Sequence, residues 1–255
     1  MPELRAWRVT DRETWTAFVE SAPYRSFPQL WEWGELREPF GWAPLRIAVG
    51  DNPQRPPIAV AQVLLRTVPA LGWRLAYVPR GPVGHLDEAP VREALLAALR
   101  SLARTEGVAT VKVDPEASPD SVLGAALLAP PWRAASRVQP PRTRIVDLAP
   151  SEDELLGALR KKHRQYIHKA ERAGVSVERL DGTADAATAQ LALDDFYRIY
   201  VHTAERAGFV ARAKRYYERV WGLFAPRGHA RLAFAVHDGQ RVATLFHFTC
   251  GDRAA

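Results

Sequence analysis

Leu45-Arg46-Ile47-Ala48-Val49-Gly50-Asp51, followed after a proline-rich turn by Ile58-Ala59-Val60-Ala61-Gln62-Val63-Leu64-Leu65, is the stretch whose reading decides the fold. Both runs are short and apolar, and polar residues separate them, so together they read as a β-hairpin. Late in the chain, Leu232-Ala233-Phe234-Ala235-Val236-His237-Asp238 leads through Gly239 into Val242-Ala243-Thr244-Leu245-Phe246-His247-Phe248, a second hairpin. Both place Ala-Val-x-Asp at the end of their first strand.

A strand–cap–helix unit precedes each hairpin. Leu4 to Val9 reads as a strand, and Thr10-x-x-Glu13 as a capping box opening a helix to about Glu20. Thr143-Arg144-Ile145-Val146-Asp147-Leu148 reads as another strand, with Ser151-x-x-Glu154 as its capping box. Two features recurring in the same order imply two copies of one α/β unit rather than a short-period solenoid. The boundary is expected between Ala129-Pro130-Pro131-Trp132 and Gln139-Pro140-Pro141, where proline discourages a continuous helix or central strand and Trp132 and Val138 suggest an edge strand. This gives domains at 1–140 and 141–255. Within the second, Glu152 to Ala173 reads as a helix with a break. A helical segment over about 184–224 reads as two helices, Ala184 to Ala207 and Lys214 to Phe224, projecting as a hairpin. The strand ending at Cys250 runs almost to the last residue, so the second domain is expected to be incomplete.

Of 255 residues, 47% are hydrophobic and 25% charged, the balance of a soluble globular protein. No apolar run is long enough to cross a bilayer, Met1 to Trp7 lacks a secretory signal, and Cys250 is the single cysteine. The expected location is the cytoplasm, with neither a disulfide nor a cysteine metal cluster. A net charge of +6 fits an anionic partner such as nucleic acid, a phosphorylated substrate or an anionic membrane surface. The same arginine-rich composition is also what codon bias would produce.

Four segments carry candidate chemistry. Ser26 to Arg37 puts Trp31 and Trp33 on a short helix with Arg37 behind them, suited either to stacking a sugar or base beside a phosphate or to core packing. Tyr77-Val78-Pro79-Arg80-Gly81-Pro82 ends a strand in a Pro/Gly loop whose arginine either binds an anion or is merely solvated. Val113-Asp114-Pro115 puts a carboxylate at a strand end, where it either orients an ammonium group or opens a turn. Lys161 to Val175 is the strongest: at helical spacing Lys161, Arg164, His168 and Arg172 share one face, as for a diphosphate or an RNA backbone, with Glu171 the lone acid. Phe196 to Tyr200 and Lys214 to Trp221 read first as helices turning apolar sides inward. A Walker loop, a dinucleotide G-x-G-x-x-G, H-E-x-x-H and a nucleophile elbow are all missing, and no metal or cofactor is expected.

Taken in order, Phe27-Pro28-Gln29 with Trp33, Tyr77 to Pro82, Val113-Asp114-Pro115, Lys161 to Val175, Phe196-Tyr197 with Thr203 and Gly208-Phe209, and Val242-Ala243 resemble the FemABX family of aminoacyltransferases. The resemblance runs from about Ser26 to the end. It implies two GNAT-like α/β domains in tandem, the second truncated. It also implies transfer of an amino acid from aminoacyl-tRNA, as co-substrate, to the stem-peptide amine of a UDP- or lipid-linked muramyl peptide at the cytoplasmic face of the membrane, with peripheral membrane contact. On the same basis Trp33, Arg37, Tyr77, Arg80, Lys161, Arg164 and Tyr166 are candidates for binding the precursor and its diphosphate. Asp114 is placed beside the acceptor amine, and His168 and Arg172 on a tRNA- or anion-facing side. The family's transition-state lysine falls beyond the last strand of this sequence. Two other functions compete: an acyl-CoA-dependent GNAT acetyltransferase, against which no R/Q-x-x-G-x-G/A loop is found, and a non-catalytic remnant binding RNA or anionic lipid.

Overall fold

The structure, a computed structural model, describes residues 3–69, 72–140 and 142–255. Met1, Pro2 and Pro141, named above in the N-terminal and boundary stretches, lie outside the described residues. The chain divides into two compact units, residues 1–136 with 248–255, and residues 137–247.

In the first unit the elements run β1 (Arg5–Arg8), α1 (Arg12–Ser21), α2 (Trp31–Arg37), β2 (Ala43–Gly50), β3 (Ala59–Thr67), β4 (Arg74–Val78), β5 (Val83–Gly84), α3 (Ala89–Thr105), β6 (Val108–Val113) and α4 (Val122–Leu128). The sheet order is β1-β2-β3-β4-β6, with the short β5 beside β3. The expected hairpin is β2–β3, antiparallel with Ala48 opposite Val60 and Val49 opposite Ala59. β4 and β6 pair in parallel, so α3 forms the crossover between them. Val91, Leu95, Leu96, Leu99 and Leu102 form the buried stripe of α3, and they meet Ile47, Val49, Ala61, Val63 and Val78 of the sheet. Each such Val, Leu or Ile side chain stabilises the fold by about 1.5–3 kcal/mol. α2 contacts β2 and β3 as well. The approach is close enough that a Cβ on Gly34 would lie 2.6 Å from Arg46 Nη2 and 2.7 Å from Gln62 Oε1. That explains a glycine inside a helix, where it costs about 1 kcal/mol.

The helix start differs from the expected capping box. Asp11, not Thr10, is the cap of α1, and its carboxylate accepts from Thr14 N at 2.8 Å. A charged acceptor at the N-terminus also meets the helix dipole favourably.

The second unit holds α5 (Glu152–Ala158), α6 (Lys161–Arg172), β7 (Ser176–Leu180), α7 (Ala186–Ala207), α8 (Lys214–Phe224), β8 (Ala230–His237) and most of β9 (Gln240–Cys250); β10 (Arg253–Ala254) follows β9 in the first unit. β7 and β8 are antiparallel, Leu180 facing Leu232, and β9 neighbours β8. The β8–β9 turn is two residues, Asp238 and Gly239, at φ 48° and 72°. Two left-handed residues form the tight turn that matches strand twist. Ser151 caps α5 in a true capping box with Glu154, and the expected helix break falls at Leu159–Arg160.

Three expectations are corrected here. Thr143 to Leu148 is not a strand: Ile145, Val146 and Leu148 are 85%, 60% and 69% exposed, and among the described residues no strand pairs with them. β-branched residues favour a strand only where a neighbour accepts the ladder and covers a face. Trp132 and Val138 lie in irregular chain rather than an edge strand. The 184–224 helices do not project. Phe196, Val220, Trp221 and Phe224 are buried, with Phe196 against Tyr217 (4.8 Å between ring centroids) and Phe246 of β9 (5.4 Å).

The duplication therefore has another register. β1–α1–α2–β2–β3 matches β7–α7–α8–β8–β9, strand, two helices and hairpin in each. Asp185 caps α7 through Thr188 N at 2.9 Å, the same Asp-x-x-Thr device that opens α1.

Candidate functional site

β4 and β6 are parallel neighbours, so their C-terminal ends lie side by side, Val78 opposite Val113. Such ends are where open α/β sheets bind ligands. Asp114 is the next residue after β6. Its Oδ2 accepts from the Tyr77 hydroxyl at 2.8 Å and its Oδ1 from the Arg80 backbone N–H at 2.7 Å. Burial pushes the Asp114 carboxyl above its usual range. The Arg80 N–H, the Tyr77 hydroxyl and the charges of Arg80 and Lys112 act the other way without overcoming it. Arg80 itself adopts φ 48°, left-handed for a residue with a side chain. Its guanidinium lies 3.8 Å from Glu116, which also accepts from Ser26 Oγ at 2.9 Å. Tyr77, Arg80 and Asp114, three separate candidates in the sequence, are one hydrogen-bonded group.

Trp33 and Arg37 belong to a cation–aromatic shelf. The Arg37 guanidinium lies 6.0 Å from the Trp33 ring, 5.9 Å from Phe40 and 5.9 Å from Trp42. Arg66 adds a second cation, 5.5 Å from the Trp42 ring. Trp42 in turn stands 6.4 Å from Tyr77, which joins the shelf to the Asp114 group. Trp31 settles differently. Its ring carries the buried Arg46 guanidinium 3.4 Å above it, and its indole N–H donates to Glu35 at 3.1 Å. Burial pushes Arg46 down to about 10. The cation on Trp31 is thus a buried one, whereas the cation beside Trp33 is the half-buried Arg37. Phe40, Trp42, Arg66 and Glu116 were not read from the sequence. They come from a turn, a strand and a loop, and only their convergence distinguishes them.

The remaining candidates sit on α6 in the second unit, and no residue of that helix is buried. Lys161, His168 and Arg172 are exposed, and Tyr166 is exposed beneath Lys162, whose Nζ lies 5.6 Å from the ring. His168 Nδ1 lies 3.1 Å from Glu171. Arg164 has a structural role. Its guanidinium donates to Gly157 O at 2.9 Å and to Leu159 O, closing the C-terminal end of α5. An open depression of about 440 Å³ in this unit is lined by Arg179, Leu180, Asp181, Thr183, Ala184, Thr188 and Arg231, none of them a sequence candidate. Among the described residues, no group of three or more His, Cys, Asp or Glu could hold a metal ion. Nor is any helix among them long and apolar enough to cross a membrane.

Two units built on one strand–helix–helix–hairpin plan, the first with a carboxylate at the ends of a parallel strand pair, define the class: a tandem α/β protein. A single family pattern, FemAB, matches residues 10–122 and then, a second time, residues 121–244, so the chain belongs to the FemAB family. The lipid II:glycine glycyltransferase of Staphylococcus aureus is 30% identical over 239 residues, covering 90% of this chain and 54% of that protein. A solved structure described as FemX superimposes with a TM-score of 0.76 at 28% identity, covering 91% of this chain and 57% of that one. The chain spans about half the length of the curated relatives it matches.

Proposed function

We propose that this protein is an aminoacyltransferase of cell-wall synthesis, moving an amino acid from aminoacyl-tRNA to the stem-peptide amine of a peptidoglycan precursor at the cytoplasmic side of the membrane. The observation that carries the reading is the FemAB match along both units. The Asp114 group supports it with chemistry. A stem-peptide amine has a free pKa of about 10.4 and must lose a proton before it attacks an ester. A carboxyl held above its usual range, fixed by two hydrogen bonds at a strand end, is suited to orient the ammonium form and take that proton. The amine nitrogen then bonds to the ester carbonyl carbon, the C–O bond to the tRNA ribose breaks, and the proton passes to the departing hydroxyl. The reaction itself needs no covalent enzyme intermediate, and alignment of two large anionic substrates supplies much of the barrier reduction.

In this reading Trp33, Arg37, Tyr77 and Arg80 bind the muramyl precursor, UDP- or lipid-linked, around Asp114. On α6 of the second unit, Lys161, Arg164 and Tyr166 are separate candidates for binding a diphosphate, and His168 and Arg172 for tRNA phosphates. Peripheral contact with the membrane would follow from a lipid-linked acceptor. Calorimetric titration with UDP-linked muramyl pentapeptide tests the acceptor side. Arg37→Ala is expected to weaken binding about tenfold, the worth of one charge-assisted contact of ~1.4 kcal/mol. Asp114→Asn is expected to bind within about threefold of the parent and to lose transfer. No heat of binding to the parent chain would remove the precursor from this site.

A further inference from the structure

Gln29 takes no part in the chemistry above, yet it is wholly buried where three pieces of the first unit meet. Its Nε2 donates to Pro79 O at 2.6 Å, and its Oε1 accepts from Gln62 N at 2.8 Å. Its own carbonyl accepts from the Trp15 indole at 2.8 Å. Gln62, also wholly buried, donates from Nε2 to Pro28 O at 3.1 Å and to Leu30 O at 2.8 Å. Each such bond contributes only about 1 kcal/mol net, although a leucine at position 29 would leave the Pro79 carbonyl and the Gln62 N–H buried without a partner. What the bonds add is direction. The bridge runs from the turn that launches α2, with Trp33 and Arg37, across β3 to the loop that carries Arg80.

That loop has no slack. A Cβ on Gly81 would lie 2.5 Å from both Cδ and Nε2 of Gln29. One residue earlier, Arg80 holds φ 48° with its N–H on Asp114. A left-handed residue with a side chain costs on the order of 1 kcal/mol and persists only where its surroundings over-determine it. The Pro79 carbonyl, fixed by Gln29, is the anchor immediately before it.

We propose that Gln29 is a positioning residue: its amide holds the Pro79–Gly81 loop so that the Arg80 N–H meets Asp114, and it ties this end of the site to the Trp33–Arg37 shelf. The inference rests on reading Asp114 as the acceptor-side carboxylate. Two variants test it. Gln29→Met keeps the volume and removes both amide bonds, and Gly81→Ala displaces the same amide from the other side. The readouts are the ¹³C titration of the Asp114 carboxyl and hydrogen exchange of the Arg80 amide. In both variants the Asp114 midpoint should move upward, because a bond that stabilises the carboxylate is lost. The Arg80 amide should exchange at least about tenfold faster. A residue that merely fills space would lower the melting temperature and leave both readouts unchanged, and that result in the folded variants overturns the proposal. Should Gln29→Met not fold, Gly81→Ala decides alone by the same two signals. Neither readout needs a substrate. Unchanged signals therefore sink the positioning role only, whereas absent aminoacyl transfer by the parent chain sinks the enzymatic reading only.

Discussion

At Asp114, burial and hydrogen bonding pull in opposite directions, and burial prevails. The folded carboxyl therefore titrates above its unfolded counterpart. Its protonated form favours the fold at low pH, and that contribution is lost as pH rises through the folded value. At neutral pH the ionised, half-buried carboxylate is therefore a cost to the stability of the fold. Thermal melts of Asp114→Asn should show an advantage over the parent that grows from pH 4 to pH 7. An advantage independent of pH would mean that burial does not dominate at this carboxyl. Glu32 is a contrasting case. It is 0% exposed and paired with Arg12 at 2.7 Å. Arg12→Ala, read by urea unfolding, should cost roughly 3 kcal/mol because a buried carboxylate loses its cation. Tyr77, Arg80 and Asp114 were legible in the sequence because strand ends and Pro/Gly turns are local signals. Trp42 and Arg66 were not, since nothing near them in the chain says that they converge, and Gln29 was read only as part of the Phe27-Pro28-Gln29 resemblance, without its bonds to Pro79 and Gln62.

Among the elements, the hairpins β2–β3 and β8–β9 and the helices α7 and α8 were readable from periodicity and turn residues. Their register of repetition was not. Thr143 to Leu148 has strand composition, and its likeness to Leu4 to Val9 made it the obvious counterpart of β1. The structure gives that place to β7, whose five residues carry a weaker signal but have β8 to pair with. Pairing partners are long-range facts, and a single run of residues does not encode them. The aromatic layer beneath β9 is predicted to carry much of the second unit's stability. Phe224→Ala, at a fully buried position, should cost about 3–5 kcal/mol in denaturant melts. α6 should behave oppositely. Because none of its residues is buried and Arg164 ties it to the end of α5, Arg164→Ala should change global stability by no more than ~0.5 kcal/mol. Hydrogen exchange over 152–172 should nonetheless accelerate.

For the whole molecule, a net charge of +6 and an exposed cationic helix are the features on which the proposed pair of anionic substrates would draw, in a chain that belongs to the FemAB family. Charge alone left nucleic acid, phosphorylated substrate and membrane equally open. The ordered motifs from Phe27 to Ala243 narrowed the choice, because together they require a fold and a site as well as a sign of charge. The most direct measurement incubates the chain with labelled aminoacyl-tRNA and a UDP-linked muramyl pentapeptide, alongside ribonuclease-treated donor and a parallel reaction with acetyl-CoA. Label is expected on the peptide amine, abolished by ribonuclease, with no acetylation. Acetylation from acetyl-CoA without transfer from tRNA would contradict the aminoacyltransferase reading and make the protein an acyl-CoA-dependent enzyme instead.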